Sequence, residues 1–175
     1  MDALLRGDFS LETRPMLSVH TENGICCLAM NDAAVSRGGY GRLIDLHVLV
    51  DDEPVGAYRA DGLVVATPTG STGYSLSAGG PIVAPGVDCM IITPVCAHSL
   101  QHRPVVISGS ATVELVLMTD EEMAALLQVD GQTVGTLRAG QRVTIRRDEK
   151  VVRLIRLKPL RFFDIVRQKL MEWSR

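Results

Sequence analysis

Nine consecutive residues, 67–75, concentrate hydrogen-bonding groups in a way that suggests a ligand site. They read TPTGSTGYS and contain five Ser or Thr hydroxyls, one tyrosine and two glycines. Glycines let a ligand approach the backbone closely, and free N–H groups and hydroxyls can donate to phosphate or ribose oxygens. Residues 75–78, followed by Gly79, predict one helical turn whose N-terminus points at the loop and favours an anion there. The segment therefore suggests a site for a phosphate-bearing ligand, although structural loops also have this composition.

The elements that must position this loop are predicted to be strands. Residues 63–66, LVVA, form an apolar run typical of a short buried strand directly before the loop. Elsewhere, apolar residues alternate with polar ones, and turn residues divide them into roughly ten strands. The predicted turns that join pairs of strands into hairpins lie at 22–24, 51–53, 109–110, 130–131 and 147–150.

Three further features complete the predicted architecture. Asn31-Asp32 stands where a strand ends, and Pro94 is expected to end the strand at 88–93 because proline cannot continue a central strand. Residues 162–173 have helical spacing of their apolar side chains. We therefore predict a mainly β, two-sheet, sandwich-like domain built of hairpins with a C-terminal helix.

Composition excludes several classes of partner. The 175 residues, 46% of them hydrophobic, suffice for one domain with its own core. A net charge of −2 without long charged blocks argues against nucleic acid and anionic membranes as partners. No apolar stretch approaches the roughly 20 residues of a membrane span, and no signal sequence is recognisable, so we expect a cytoplasmic protein. The cysteines lack metal-binding spacing and are expected to be reduced, mostly buried thiols: Cys26, Cys27, Cys89 and Cys96.

The loop and four other segments resemble the bacterial ATP-dependent NAD kinases, also called polyphosphate/ATP-NAD kinases. The longest match comprises Asp61-Gly62 and residues 66–81, ATPTGSTGYSLSAGGP. Asn31-Asp32, residues 93–104, residues 129–132 and the closing segment 162–170 fit the same family in the same order. The resemblance covers nearly the whole chain and implies that residues 1–175 are the family's C-terminal, NAD-binding domain.

The resemblance also implies which residues contact the dinucleotide. They are Asn31, Asp32, Arg42, Arg59, Asp61, Thr69, Thr72, Gly73, Tyr74, Ser75, Leu76, Ser77, His98 and Gln132. It further implies ATP and a divalent ion such as Mg²⁺ for the complete enzyme, NADP as product, and a homo-oligomer, dimeric or tetrameric. From the residues alone, Asn31-Asp32 could equally cap a turn, Arg59 and Asp61 could form an ion pair, Arg42 could be a surface arginine, and Asp130-Gly131 a structural turn.

One motif of the family is missing from this sequence. NAD kinases resemble one another in a Gly-Gly-Asp-Gly motif whose Asp is taken to activate the NAD 2′-hydroxyl, and here only Gly38-Gly39-Tyr40-Gly41 is similar. We therefore expect no catalytic residue in this chain and negligible kinase activity from it alone. Gly73 also replaces the family's usual alanine, which removes no functional group. The alternatives are a non-catalytic dinucleotide-binding and oligomerisation module and a lipid or diacylglycerol kinase relative, against which the loop sequence argues.

Overall fold

The computed structural model describes residues 2–39, 42–98, 102–119, 123–157 and 161–173. Twelve strands form within these ranges. In chain order they are β1 (Ser10–Thr21), β2 (Cys26–Ala29), β3 (Asp32–Arg37), β4 (Ile44–Val50), β5 (Glu53–Ala60), β6 (Gly62–Ala66), β7 (Cys89–Val95), β8 (Val105–Ser108), β9 (Thr112–Leu117), β10 (Ala125–Val129), β11 (Gln132–Leu137) and β12 (Arg142–Arg156). The helices are α1 (Asp2–Leu5), α2 (Tyr74–Ser77) and α3 (Phe162–Trp173), and a single 3₁₀ turn covers Gly70–Thr72.

The strands make two six-stranded antiparallel sheets, which confirms the predicted mainly β, two-sheet architecture. The first sheet has the order β2-β1-β12-β9-β4-β5, and the second has the order β11-β10-β3-β6-β7-β8. Alternate residues of both sheets point inward and form one core, as the period of two along a strand requires. This core includes Leu17, Ile44, Leu46, Leu63, Ile92, Leu115, Leu127 and Ile145.

β6 is buried on both faces, as the apolar run at 63–66 predicts. Leu63 and Val65 join the core between the sheets. Val64 and Ala66 pack with Ala34 of β3 in a separate cluster on the outer face of the second sheet. The segment that follows β6 therefore begins at the end of a rigid, fully paired central strand.

Several predicted hairpins and both predicted helical segments are confirmed. β1 pairs with β2, β4 with β5, and β10 with β11, each across the expected turn. In the last of these turns Asp130 and Gly131 both have positive φ, 47° and 79°, which is the geometry of the two-residue turn that Asp-Gly favours. The chain after α2 turns at Gly79, whose φ is 88°.

Two predictions about the later strands are wrong. Residues 147–150 do not form a turn, because β12 runs through them as one 15-residue strand. The charged residues 148–150 are instead a bulge: Pro15 pairs with Val151 and Leu17 with Arg147, so these three β12 residues lie opposite the single β1 residue Met16. Residues 109–110 do not join a hairpin either, since β8 belongs to the second sheet and β9 to the first. Short loops can turn a corner between sheets as well as reverse a strand, and alternation alone does not distinguish the two.

Pro94 does not end its strand, contrary to prediction. β7 continues to Val95, with Pro94 opposite Leu63 of β6. On its other side, β8 pairs only with residues up to Ile92. The missing N–H of Pro94 therefore breaks no hydrogen bond to β8. At this position the strand is paired on one side only, as in an edge strand, where proline is tolerated.

Two smaller features also differ from expectation. β3 was not predicted: Asn31-Asp32 follows the end of β2 at Ala29, as expected, but Asp32 is also the first residue of a new strand. The cysteines are free, as expected, but only Cys89 is buried, while Cys26 and Cys96 are exposed. Among the described residues, no helix is both long enough and apolar enough to cross a membrane.

Candidate functional site

A cavity of about 510 Å³ opens beside the outer face of the second sheet. Its volume lies within the range of about 300–1,000 Å³ that is common for small-molecule sites. Three segments far apart in sequence line it: Asn31, Asp32 and Ala34; Thr69, Thr72, Gly73 and Tyr74; and Gln128, Asp130 and Gly131. The cavity is therefore assembled by the fold around the loop that the sequence singles out.

The carboxylate of Asp130 fixes the first segment. Its Oδ2 accepts the backbone N–H of Met30 at 2.8 Å, and its Oδ1 accepts those of Asn31 at 2.7 Å and Asp32 at 3.1 Å. In return, the N–H of Asp130 donates to the carbonyl of Asp32 at 3.0 Å. Hydrogen bonds to a charged acceptor are stronger than neutral ones. The β10–β11 turn thus holds the entrance of β3 in place.

Thr67 fixes the same segment from the other side. Its N–H donates to the carbonyl of Asn31 at 2.9 Å, and its hydroxyl donates to the carbonyl of Met30 at 2.8 Å. The N–H of Gly70 then donates to the Thr67 hydroxyl at 3.1 Å. A Cβ at Gly70 would overlap the carbonyl of Asn31, so only glycine allows this approach. The loop and the Asn31-Asp32 segment are therefore locked together.

The hydroxyls of the loop divide into structural and cavity-facing groups. Ser71 is fully buried, and its hydroxyl donates to the carbonyl of Pro68 at 2.7 Å while accepting the N–H of Val83 at 3.1 Å. Ser75 is also fully buried, and its hydroxyl lies 2.8 Å from that of Thr93. Thr69 and Thr72 line the cavity instead. Only some of the Ser and Thr hydroxyls that make the loop stand out in the sequence therefore face the cavity.

Asp32 is the most strongly perturbed acid among the described residues. It is only 7% exposed. Burial and, to a lesser degree, the nearby charge of Asp130 together raise the pKa of its carboxyl to about 6. Near neutral pH the Asp32 carboxylate is charged but close to its titration point. It can accept hydrogen bonds from hydroxyl or amine groups of a ligand.

Tyr74 supplies an aromatic surface at the cavity mouth. It is 40% exposed and lines the cavity at the start of α2. Burial raises the pKa of its phenol, and the charges of Cys96, Asp32 and Asp61 add to this, so the hydroxyl stays neutral. A partly exposed aromatic ring beside a cavity is suited to stack against a planar base.

A second cavity of about 560 Å³ follows the first along β3 and β10. Arg37, Gly38, Gly39 and Arg42 contribute to its lining. Asp61 lies at this end of β3, where its carboxylate pairs with the Arg37 Nε at 3.0 Å and its carbonyl accepts the Arg37 N–H at 2.9 Å. The ion-pair alternative for Asp61 is thus realised, but with Arg37 and not with Arg59.

The structure separates the predicted contact residues into groups. Asn31, Asp32, Thr69, Thr72, Gly73 and Tyr74 meet at the first cavity, and Arg42 lies at the second. Arg59 and His98 are exposed neighbours, since the His98 N–H donates to the Arg59 carbonyl at 2.9 Å. Leu76, Ser77 and Gln132 lie outside the lining of both cavities, as does buried Ser75.

Sequence reasoning missed two cavity residues and interpreted two others as a turn. Ala34 and Gln128 lie on the unpredicted β3 and its partner β10, directly opposite each other. Gly131 and Asp130 belong to the predicted turn, and no local signal indicated that the Asp130 carboxylate reaches residues about a hundred positions earlier. Within the described ranges, no group of three or more His, Cys, Asp or Glu side chains is placed to hold a metal ion.

Comparison with known proteins matches this chain to one family. A model of the ATP-NAD kinase C-terminal domain matches residues 30–157. An NAD kinase from Desulforamulus reducens is 42% identical over 181 residues, which cover 99% of this chain and 62% of that protein. This chain thus spans less than two thirds of the curated relatives that it matches.

Two solved structures share the fold. Yeast NADH kinase complexed with NADH has a TM-score of 0.82 at 30% identity, over 89% of this chain and 47% of that one. An NAD kinase from Archaeoglobus fulgidus in complex with ATP has a TM-score of 0.72 at 30% identity, over 90% of this chain and 58% of that one. The two-sheet fold thus has counterparts of similar structure among solved proteins.

Proposed function

Because this chain belongs to the ATP-NAD kinase family, we propose that residues 1–175 are the C-terminal, dinucleotide-binding domain of an NAD kinase. The complete enzyme would transfer the γ-phosphoryl group of ATP to the adenosine-ribose 2′-hydroxyl of NAD and release NADP. One observation carries the proposal: the motif segments around Asn31, Thr69 and Asp130 converge on one cavity. The relatives' names and the NADH and ATP in the two solved structures support the choice of ligands.

Within this proposal, four cavity residues have binding roles. Tyr74 stacks on a base, Thr69 and Thr72 donate to phosphate or ribose oxygens, and the Asp32 carboxylate accepts from a ligand hydroxyl or amine. The second cavity continues along the same two strands, so a dinucleotide can extend from Asp32 toward Arg42. Arg59, Asp61, His98 and Gln132 would then complete contacts from the edges, or from a second copy of the chain in a dimer or tetramer.

Phosphoryl transfer needs positioning and charge stabilisation more than covalent chemistry by the protein. This chain would supply the positioning of NAD. The activating carboxylate of the Gly-Gly-Asp-Gly motif does not occur in its sequence. The described residues contain no group of three or more His, Cys, Asp or Glu side chains placed to hold a metal ion. We therefore assign these residues no role in binding the divalent ion expected with ATP. We propose that the chain alone has negligible kinase activity and works in the cytoplasm, where NAD and ATP are available.

Calorimetric titration of the purified chain with NAD and NADP tests the binding role. We expect saturable binding that Asp32→Ala weakens strongly. Arg147→Met serves as the control, since Arg147 pairs with Asp88 at 2.7 Å, and neither residue lines the cavity. Absence of binding by the unaltered chain would refute an independent dinucleotide site.

A coupled assay for NADP formation tests the catalytic part. We expect no turnover approaching the roughly 1 per second of ordinary enzymes. Turnover at that rate by the chain alone would contradict the assignment of catalysis to another segment. Binding without activity, even after addition of the N-terminal domain of a relative, would favour the non-catalytic module instead.

A further inference from the structure

Arg14 is a buried arginine that connects β1 of the first sheet to the cavity loop. Its side chain is only 8% exposed. The Nη2 donates to Glu12 Oε1 at 2.6 Å, and the Nη1 donates to the Thr69 hydroxyl at 3.3 Å. Arg14 and Thr69 are 55 positions apart, so only the fold brings them together. Thr69 lines the cavity, whereas Arg14 stands behind it.

Glu12 holds Arg14 in this position from β1, with help from β12. Its second oxygen, Oε2, accepts the Nε of Arg156 at 2.6 Å. Burial alone would raise the pKa of Glu12, but hydrogen bonds from Arg156 and Arg14 outweigh it, and the pKa is lowered. The carboxylate is therefore charged at neutral pH. One carboxylate between two guanidinium groups leaves this cluster with a net charge of +1.

The rest of the cavity has the opposite sign. The charged residues in its described lining are Asp32 and Asp130, which are both acidic. A ligand with phosphate groups is repelled at that side and attracted toward the side of Thr69, behind which the Arg14 cluster lies. Because the Arg14 side chain is pinned at Glu12, its bond to Thr69 also limits the rotation of that hydroxyl.

We propose that Arg14 is a positioning residue of the dinucleotide site, which orients the Thr69 hydroxyl and places a fixed positive charge behind the loop that receives the ligand's phosphates. This inference rests on the proposed function, since NAD is the ligand tested. A purely structural role predicts that Arg14 affects stability alone. A positioning role predicts that its effect on binding passes through Thr69.

A double-mutant cycle with Arg14→Met and Thr69→Val distinguishes these roles. Calorimetry with NAD is expected to show about tenfold weaker binding for each single variant and little further loss for the double variant, because the two changes remove one interaction. Thr69→Val keeps the buried Arg14–Glu12 pair, so the test survives if Arg14→Met does not fold. Arg14→Lys keeps the positive charge but not the forked contact to Glu12 and Thr69, and it is expected to recover little affinity because the effect on binding passes mainly through Thr69.

Arg142→Met is the matched control. Arg142 also pairs with a glutamate on a neighbouring strand of the first sheet, Glu114, at 2.7 Å, but it does not contact the loop. Its NAD affinity should stay within about twofold of the unaltered chain, as expected for a distant and independent site. A second readout needs no ligand: amide hydrogen exchange at 70–73 should accelerate in Arg14→Met and Thr69→Val, but not in Arg142→Met.

Each outcome decides the proposal. Unchanged NAD affinity and unchanged exchange in both single variants overturn the role of Arg14 while leaving the proposed function intact. If the fold-losses of NAD affinity in the two single variants multiply in the double variant, Arg14 does not act through Thr69 and the coupling is overturned. If the unaltered chain binds no NAD, the proposed function fails, and the exchange data alone decide whether Arg14 orders the loop.

Discussion

The carboxylate of Asp130 accepts the backbone N–H of Asp32 at 3.1 Å, and its charge also contributes to the raised pKa of the Asp32 side chain. The same Asp130 charge that fixes the backbone of the segment disfavours ionisation of the Asp32 side chain. The site therefore combines a rigid main chain with a carboxylate that titrates near neutral pH.

The raised pKa of Asp32 makes stability depend on pH. Its pKa is about 6 in the folded chain, against an ordinary value of 3.8, so between these values the folded state binds more protons than the unfolded state. The contribution of Asp32 to the free energy of unfolding, taken relative to its value at high pH, is fully present below about pH 4 and is lost as the pH rises through 6. The total loss is at most about 3 kcal/mol.

Urea unfolding of the chain and of Asp32→Asn at several pH values measures this contribution. We expect the unaltered chain to lose stability relative to Asp32→Asn as the pH rises from 4.5 to 7.5. A difference between the two that does not vary with pH would show that the Asp32 pKa is not raised.

Removal of the Asp130 carboxylate should destabilise the backbone of residues 30–32. Asp130→Ala leaves the N–H groups of Met30, Asn31 and Asp32 without their acceptor and is expected to cost about 2–4 kcal/mol of unfolding free energy. Asp130→Asn should cost less, because the amide keeps one acceptor oxygen and asparagine tolerates the positive φ at this position. Chemical denaturation measures the unfolding free energy of both variants. Equal losses would contradict a clamp in which the Asp130 side-chain oxygens hold the backbone N–H groups of residues 30–32.

Two glycines in the loop should differ in their tolerance of substitution by alanine. Gly70→Ala places a Cβ onto the Asn31 backbone, and we expect a loss of 2 kcal/mol or more, roughly the cost of overpacking, together with loss of NAD binding. Gly73 has a negative φ of −104°, and a Cβ there would lie 3.3 Å from the Gly70 carbonyl oxygen, a tight contact that a shift of a few tenths of an ångström would relieve. Gly73→Ala should therefore change stability by less than about 1 kcal/mol and keep binding.

Thermal unfolding and NAD titration of both variants check this contrast. Tolerance of alanine at position 70 would mean that the loop can move away from Asn31 at little cost. The cavity would then be less rigid than the hydrogen bonds of Thr67 indicate.

Tyr74 should contribute through its ring more than through its hydroxyl. Tyr74→Ala is expected to weaken NAD binding about tenfold, within the range of about 1–3 kcal/mol for stacking of a base on an aromatic side chain. Tyr74→Phe should bind within about threefold of the unaltered chain, since stacking needs only the ring. Calorimetric titration gives both values, and a loss in Tyr74→Phe as large as in Tyr74→Ala would assign the contribution to the hydroxyl.

The sequence predicted those parts of the fold that depend on local spacing. The buried β6, the turn at Asp130-Gly131 and the helical turn before Gly79 follow from apolar runs, turn chemistry and glycine φ angles within a few residues. The bulge in β12 and the tolerance of Pro94 depend on where a neighbouring strand begins or ends. No local pattern contains that information.

The same limit applies to the site. The loop at 67–75 stands out by composition, and the family resemblance added Asn31 and Asp32. The clamp by Asp130 and the contact of Arg14 with Thr69 join residues 98 to 100 and 55 positions apart, respectively. Such contacts arise only from the pairing order of the sheets.

The pairing of β1 with β12 also sets an order in which the chain can fold. It places Ser10 opposite Arg156, and β12 is the strand that joins β1 and β2 to the rest of the first sheet. The second sheet, by contrast, needs nothing beyond Leu137. During synthesis on the ribosome, the sheet that bears the cavity can therefore pair first, while the edge of β1 that does not face β2 lacks its partner until β12 is made, almost 150 residues later. Closure of so long a loop is slow, and the unpaired edge of β1 stays open to aggregation until the last strand arrives.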